Sequence, residues 1–246
     1  MWSPEQYERF KSERTQPFHD LAALVEPRAG LRVADLGCGT GELTRALHDQ
    51  LDAAETIGVD SSDVMLEKAA AFTTPSLRFV QAAIETFDSD APFDLIFSNA
   101  ALHWVEDHPS LFARLTTLLA PGGQLAVQMP ANHDHVSHLV AAELAPQFGV
   151  APRVSPMLRP EQYAQLLHAL GYARQQVRLQ VYGHVLPSAR DVVEWVKGST
   201  LTDYQRRLGT RWPEFLDAYS ERLLPLLGDA EPFFFPFKRI HIHAVR

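Results

Sequence analysis

The 246-residue chain has a single cysteine, Cys38, which rules out an intrachain disulfide and suits a reducing compartment. No apolar stretch is long enough to cross a bilayer. The first residues, Met1-Trp2-Ser3-Pro4-Glu5-Gln6-Tyr7-Glu8-Arg9-Phe10, lack the basic-then-apolar order of a secretory leader. Positive charge is scarce: 22 Lys and Arg against 30 Asp and Glu leave a net charge of −8. That balance argues against a broad nucleic-acid-binding face and requires an anionic ligand to meet a local cluster of cations. Internal repeats and low-complexity tracts are also missing. Together these absences predict a cytoplasmic protein that engages neither membrane nor nucleic acid. The remaining composition, 46% hydrophobic and 21% charged, is that of a globular chain able to bury a substantial core.

The most informative stretch is Val33-Ala34-Asp35-Leu36-Gly37-Cys38-Gly39-Thr40-Gly41, followed nineteen residues after the last glycine by Asp60. A short apolar run ends in an acid and opens into three alternating glycines. A helix-like segment comes next, and then a second apolar run, Thr56-Ile57-Gly58-Val59, which delivers another acid. This is a strand–loop–helix–strand unit that brings backbone close to a nucleotide-like ligand. Asp60, ending the second strand, is placed to accept hydrogen bonds from two ribose hydroxyls. The spacing excludes the dinucleotide fingerprint G-x-G-x-x-G: counted from Gly37 its last glycine falls on Glu42, and counted from Gly39 it falls on Thr44. Cys38, inside the loop, reads as a small residue that fits and not as a nucleophile.

From Leu31 to Met129 strand-like and helix-like segments alternate, the pattern of a parallel sheet covered by helices. Strands are expected at Arg32–Leu36, Glu55–Val59, Leu77–Gln81, Phe93–Ser98 and Gln124–Met129, and helices at Leu43–Leu51, Val64–Phe72 and Pro109–Leu119. Pro121-Gly122-Gly123 breaks the last of these helices. Beyond Met129 a helix starts at Pro160, a strand covers Val177–Val185, Ser188 and Asp191 read as a capping box, and another helix starts near Pro213. The final strand is expected at Arg239–Val245, with His241 and His243 on the outer face of an edge strand. Phe233, Phe234 and Phe235 read as core or lid. His133, His135 and His138 with Asp134 carry metal-like spacing, but their segment leaves a strand and enters a helix, which splays the side chains, so no metal site is expected.

The G-x-G-x-G loop with an acid two residues upstream resembles the S-adenosylmethionine-dependent methyltransferases. Over nearly its whole length the chain is similar to the trans-aconitate 2-methyltransferase family of class I enzymes. The matching segments are Tyr7–Phe10 with Glu13-Arg14, Ala34–Gly41, Ile57–Ser62, Asp94–Trp104, Leu125–Pro130 with Asn132, Glu194–Val196 and Pro236–Ile240. The resemblance implies an α/β, Rossmann-like class I methyltransferase fold: a seven-stranded, mostly parallel sheet with an antiparallel last strand and a helical cap. A single domain over 1–246 is expected. It comprises an N-terminal helical cap segment at 1–30, a cofactor-binding core at 31–130, the rest of the core at 131–187 and 228–246, and a helical insertion or lid at 188–227.

By the same resemblance S-adenosyl-L-methionine is the cofactor and S-adenosyl-L-homocysteine its product. Gly37, Gly39 and Gly41 line the methionine part beside Asp35, Asp60 holds the ribose, and Ser61 is a further cofactor-binding residue. Met65 packs near the adenine, Ala83 and Ile84 lie beside it, and Asn99 brings backbone to the amino-acid end. His103 and Trp104 wall the reacting methyl and are the candidate catalytic residues. The acceptor pocket is expected to draw on Tyr7, Phe10, Arg14, His103, Trp104, Asn132, Trp195, Lys238 and Arg239. Two positions depart from the family pattern: Ala83 stands where an acid would accept from the adenine amino group, and His103 where glutamine is usual.

The resemblance points to O-methylation of an anionic small molecule, a carboxylate such as trans-aconitate, by a monomer or weak homodimer. A carboxylate is ionised at neutral pH and needs no base, but its other carboxylates need cations, for which Arg14, Lys238 and Arg239 are the candidates. The alternatives are an aromatic or heteroaromatic oxygen or nitrogen, with His103 as base, or a malonyl group on a carrier protein. A cofactor-binding regulator without catalysis is the non-enzyme alternative.

Overall fold

The computed structural model describes residues Lys11–Arg246, with side chains from Thr15 onward. Seven strands form one sheet: β1 (Arg32–Leu36), β2 (Glu55–Asp60), β3 (Leu77–Gln81), β4 (Phe93–Asn99), β5 (Leu119–Pro130), β6 (Arg174–Leu186) and β7 (Phe233–Val245). Their order is β3-β2-β1-β4-β5-β7-β6. The pairs β1–β2, β1–β4, β2–β3 and β4–β5 are parallel, and β7 runs antiparallel to β5. The helices are α1 (Lys11–Ala22), α2 (Glu42–Leu51), α3 (Asp63–Ala69), α4 (His108–Thr117), α5 (Val136–Leu144), α6 (Pro160–Ala169), α7 (Arg190–Lys197), α8 (Leu201–Leu208) and α9 (Trp212–Leu227).

The chain divides into two compact units. The larger holds residues 16–130, 156–180 and 239–246. Its central strands are continuous apolar runs because both faces are covered, as parallel sheets require. On one face Phe18, Leu21 and Val25 pack with Val33, Leu47, Leu95, Phe97 and Ala126. Phe18 meets Phe97 edge-on at 5.4 Å. Each such side chain, fully withdrawn from water, contributes roughly 1.5–3 kcal/mol. His48, a buried polar group of this unit, uses both ring nitrogens: Nδ1 lies 2.8 Å from Thr56 Oγ1, and Nε2 lies 3.1 Å from Ser76 Oγ.

Among the described residues the smaller unit holds 11–15, 131–155 and 181–238, and includes α5 and the helices α7–α9 of the expected insertion. Its core joins Val140, Leu144, Trp195, Tyr204, Phe215, Tyr219, Phe235 and Phe237. The Tyr219 hydroxyl donates to the Ser137 carbonyl at 2.8 Å, tying α9 to α5.

Two strands differ from expectation. β5 begins at Leu119, so Pro121-Gly122-Gly123 lie inside a strand whose register with β4 shifts between Phe93 and Leu95. β7 begins at Phe233; its phenylalanines alternate, with Phe233 and Phe235 buried and Phe234 61% exposed. β7 also lies between β5 and β6 and is not an edge. His241 is therefore 1% exposed, with Nε2 3.4 Å from the Pro17 carbonyl oxygen, and His243 Nε2 lies 2.9 Å from Gln124 Oε1. Burial holds both imidazoles below their usual pKa.

Candidate cofactor and acceptor site

β1 ends at Leu36, and the following loop folds back onto β2. Gly37 and Cys38 donate their amide N–H groups to the Val59 carbonyl at 2.8 and 3.0 Å. Gly39 N–H donates to Asp60 Oδ2 at 2.9 Å, and Ser62 N–H donates to Asp60 Oδ1 at 2.9 Å. Asp60 thus anchors the glycine loop and the start of α3 with one carboxylate, and each of its oxygens keeps a further lone pair for a ligand. Ser62 caps α3 by accepting from Met65 N–H at 3.3 Å.

Gly37 and Gly39 show the two sides of the loop. Gly37 has φ of +79°, and a Cβ there would lie 2.1 Å from the Cβ of Ala101, with Ile84 Cδ1 3.8 Å away. Gly39 has φ of +54°, and nothing lies within 4 Å of the place its Cβ would occupy. The loop is therefore close-packed on the side of Ala101 and Ile84 and open at Gly39, where a ligand can meet bare backbone.

Asp35 is 4% exposed and accepts from the Thr44 hydroxyl at 2.6 Å. Burial pushes its pKa up to about 6; the Thr44 hydrogen bond opposes this, and the Asp60 charge adds to it. Burial, followed by the charges of Asp35 and Asp60, raises the Cys38 thiol, which keeps it protonated and unreactive.

Asn99 ends β4 half-buried, and its Oδ1 is enclosed without a hydrogen-bond partner. Ala100, beside it, has φ of +54°, a left-handed conformation that costs a non-glycine residue about 1–2 kcal/mol. Its N–H donates to the Gln128 carbonyl at 2.9 Å. A 3-10 turn, Leu102–Trp104, then carries the half-buried His103 and the 51% exposed Trp104, their rings 4.9 Å apart. A buried group holds this turn: His108 Nε2–H donates to the Leu102 carbonyl at 3.1 Å, which leaves Nδ1 to accept from the Tyr163 hydroxyl. Burial lowers the His108 pKa and keeps the ring neutral in that role. Neither Ala100 nor the His108–Tyr163 pair stands out in the sequence. An alanine carries no left-handed signal, and a histidine and tyrosine 55 residues apart reveal no contact.

The larger unit brings together Asp35, Gly37, Gly39, Gly41, Asp60 and Ile84, and at the strand ends Asn99, His103 and Trp104. Ser61 is exposed, Met65 half-buried and Ala83 exposed on the turn after β3. Arg239, on β7 opposite Pro130, is 4% exposed. The smaller unit holds Asn132, Trp195 and Lys238. Asn132 Oδ1 accepts from Lys238 N–H at 3.1 Å, while the Lys238 ammonium is paired with Asp134. Trp195 is 2% exposed among His184, Phe235 and Phe237. His135, Ser137, His138 and Thr200 form a hydrogen-bonded chain, and burial takes His138 down to about 3. Among the described residues no group of three or more could hold a metal ion. Tyr7 and Phe10 lie outside the described residues, and of Arg14 only the backbone, within α1, is described.

A methyltransferase-domain family model matches residues 7–177. The chain is 43% identical to a trans-aconitate 2-methyltransferase of Deinococcus radiodurans, across 100% of this chain and 98% of that protein. It belongs to the trans-aconitate 2-methyltransferase family. The seven-stranded sheet agrees with solved structures. The YcgJ protein of Bacillus subtilis superposes with a TM-score of 0.64 at 20% identity, over 94% of this chain and 98% of that one. A phosphoethanolamine N-methyltransferase of Haemonchus contortus in complex with S-adenosyl-L-methionine gives 0.59 at 16% identity, over 94% and 52%. As a member of this family the chain is an S-adenosylmethionine-dependent methyltransferase. The open side of Gly39, the spare lone pairs of Asp60 and the enclosed acceptor Asn99 Oδ1 fit a ligand with a ribose and an ammonium group. Among the described residues no helix is long and apolar enough to cross a membrane.

Proposed function

We propose that the protein methylates a carboxylate oxygen of a small polycarboxylic acid, trans-aconitate first among the candidates. Full-length 43% identity to an enzyme of that name carries the reading. S-adenosylmethionine would supply an activated methyl group on a sulfonium, so transfer is an in-line displacement in which the C–O bond forms as the C–S bond breaks. Asp60 would hold the ribose with the lone pairs its backbone donors leave free. The glycine loop would lie along the methionine part, and Asn99 would accept from the ammonium. His103 and Trp104 would wall off water and fix the line of attack, which is where positioning accelerates a displacement. Arg239, at 4% exposure on β7, supports recognition of an anionic acceptor because its planar guanidinium can take both oxygens of a carboxylate. The single buried cysteine suits a reducing, cytoplasmic setting.

A panel of acceptors with radiolabelled methyl donor tests this reading. Polycarboxylates should be turned over, with kcat nearly flat from about pH 6 to 9 because the acceptor is already ionised. Arg239→Ala should raise KM for the acid at least tenfold, and His103→Gln should be tolerated. Turnover of a phenol or ring N–H with a rate that rises with pH, abolished by His103→Gln, would replace the carboxylate reading with base-assisted methylation.

A further inference from the structure

Gln128, on β5, is 0% exposed, and both its amide oxygen and its amide nitrogen are buried without a hydrogen-bond partner. Such an arrangement is costly, because an amide withdrawn from water loses up to four hydrogen bonds. Packing does not account for it, since a leucine would fill the same volume at no such cost.

The neighbours show what the amide is for. In register, Gln128 stands beside Asn99 of β4 on one side and His241 of β7 on the other. One row of polar side chains therefore crosses three strands on the sheet face that carries Ala126 and Phe97, two residues beyond the apolar core. Asn99 Oδ1 is likewise enclosed and unpartnered. Arg239 lies two residues beyond His241 on the same face of β7. The row sits at the carboxyl ends of parallel strands β4 and β5, where open α/β sheets bind their ligands. The backbone is strained at the same place, where Ala100 at φ +54° hangs from the Gln128 carbonyl. Strain and unpaired buried amides in one spot mark a surface shaped for a ligand.

We infer that Gln128 is an acceptor-binding residue: its Nε2–H donates to a non-reacting carboxylate of the substrate, beside the Arg239 guanidinium. The inference rests on the polycarboxylate reading above and deepens it. Arginine supplies charge, whereas an amide N–H supplies direction, and the pair selects a planar carboxylate over a spherical anion. Oε1 is left to accept from a donor on the ligand or from a water carried with it.

Steady-state kinetics with trans-aconitate and calorimetry with the homocysteine product, on the full chain, test the assignment. Gln128→Leu keeps the volume and removes the amide. KM should rise about 10- to 100-fold, the loss of one hydrogen bond to a charged group, with kcat changed less than about threefold and the product Kd unchanged. Gln128→Glu, which sets a like charge against the carboxylate, should raise KM further. An unchanged KM in a folded Gln128→Leu variant, whatever its thermal stability, would overturn the inference. If Gln128→Leu does not fold, Gln128→Asn gives the same readout, because its shorter amide cannot reach the same carboxylate; an unaltered KM there also overturns the inference. Failure of the wild-type protein to methylate any polycarboxylate, with product binding intact, overturns instead the reading on which the inference rests, and the inference falls with it.

Discussion

Replacing Asp35 by asparagine should stabilise the protein at neutral pH, and by an amount that depends on pH. The carboxyl is 4% exposed, and burial lifts its pKa from 3.8 to about 6. Between those values the folded protein holds more protons than the unfolded chain, so stability falls as pH rises. The penalty is absent below the unfolded value and complete above the folded one. A lift from 3.8 to about 6 is worth about 3 kcal/mol at 1.36 kcal/mol per pH unit. Asparagine keeps an oxygen to accept from the Thr44 hydroxyl and cannot ionise. Urea unfolding of the ligand-free protein and of Asp35→Asn, followed by fluorescence and circular dichroism from pH 4 to 8, measures the difference. The two should be nearly equal at pH 4, diverge through pH 6 and level off about 3 kcal/mol apart in favour of the variant. A difference that does not change with pH, or a wild type more stable at pH 8, would refute the reasoning. If Asp35 lies beside the cofactor as the family resemblance implies, the same substitution should weaken binding of the cationic methyl donor above pH 6, because that negative charge is lost.

Gly37→Ala should abolish cofactor binding in calorimetry and cost 2 kcal/mol or more of stability as an order of magnitude, because its Cβ would lie 2.1 Å from that of Ala101. Lys238→Met should cost less than about 1 kcal/mol in chemical unfolding, since its partner Asp134 is exposed and the pair is screened. If Ala83 lies beside the adenine as the family resemblance implies, Ala83→Asp should tighten cofactor binding several-fold by adding an acceptor for the amino group; an unchanged Kd would mean that water or backbone already satisfies that group.

The five parallel strands and the glycine loop were legible in the sequence because each is local. A buried parallel strand is a short apolar run between breaks, and the loop announces itself by the spacing of Gly37, Gly39 and Gly41. Residues that acquire their surroundings from distant strands were not legible. His241 and His243 alternate with isoleucines as an exposed edge would, and only the strand order places them inside. Pro121-Gly122-Gly123 reads as a break, yet the register shift opposite Phe93 and Leu95 absorbs it into β5. Phe233 to Phe237 hides an alternating strand because nearly every position is apolar. Gln128 looked like an ordinary strand residue; its isolation depends on what stands beside it in β4 and β7.

Asp60 has both carboxylate oxygens tied to backbone, one to Gly39 and one to Ser62. The acid proposed to hold the ribose is therefore also the rivet between the glycine loop and α3. Its rotamer is fixed before a ligand arrives, so the ordering entropy of that side chain and of the loop is spent in folding and not in binding. A truncation at Asp60 would return that entropy to the binding step. The affinity lost would then report the loosened loop as well as the missing hydrogen bonds, and even the longer acid in Asp60→Glu, unable to keep both backbone contacts, would act as a loosening change.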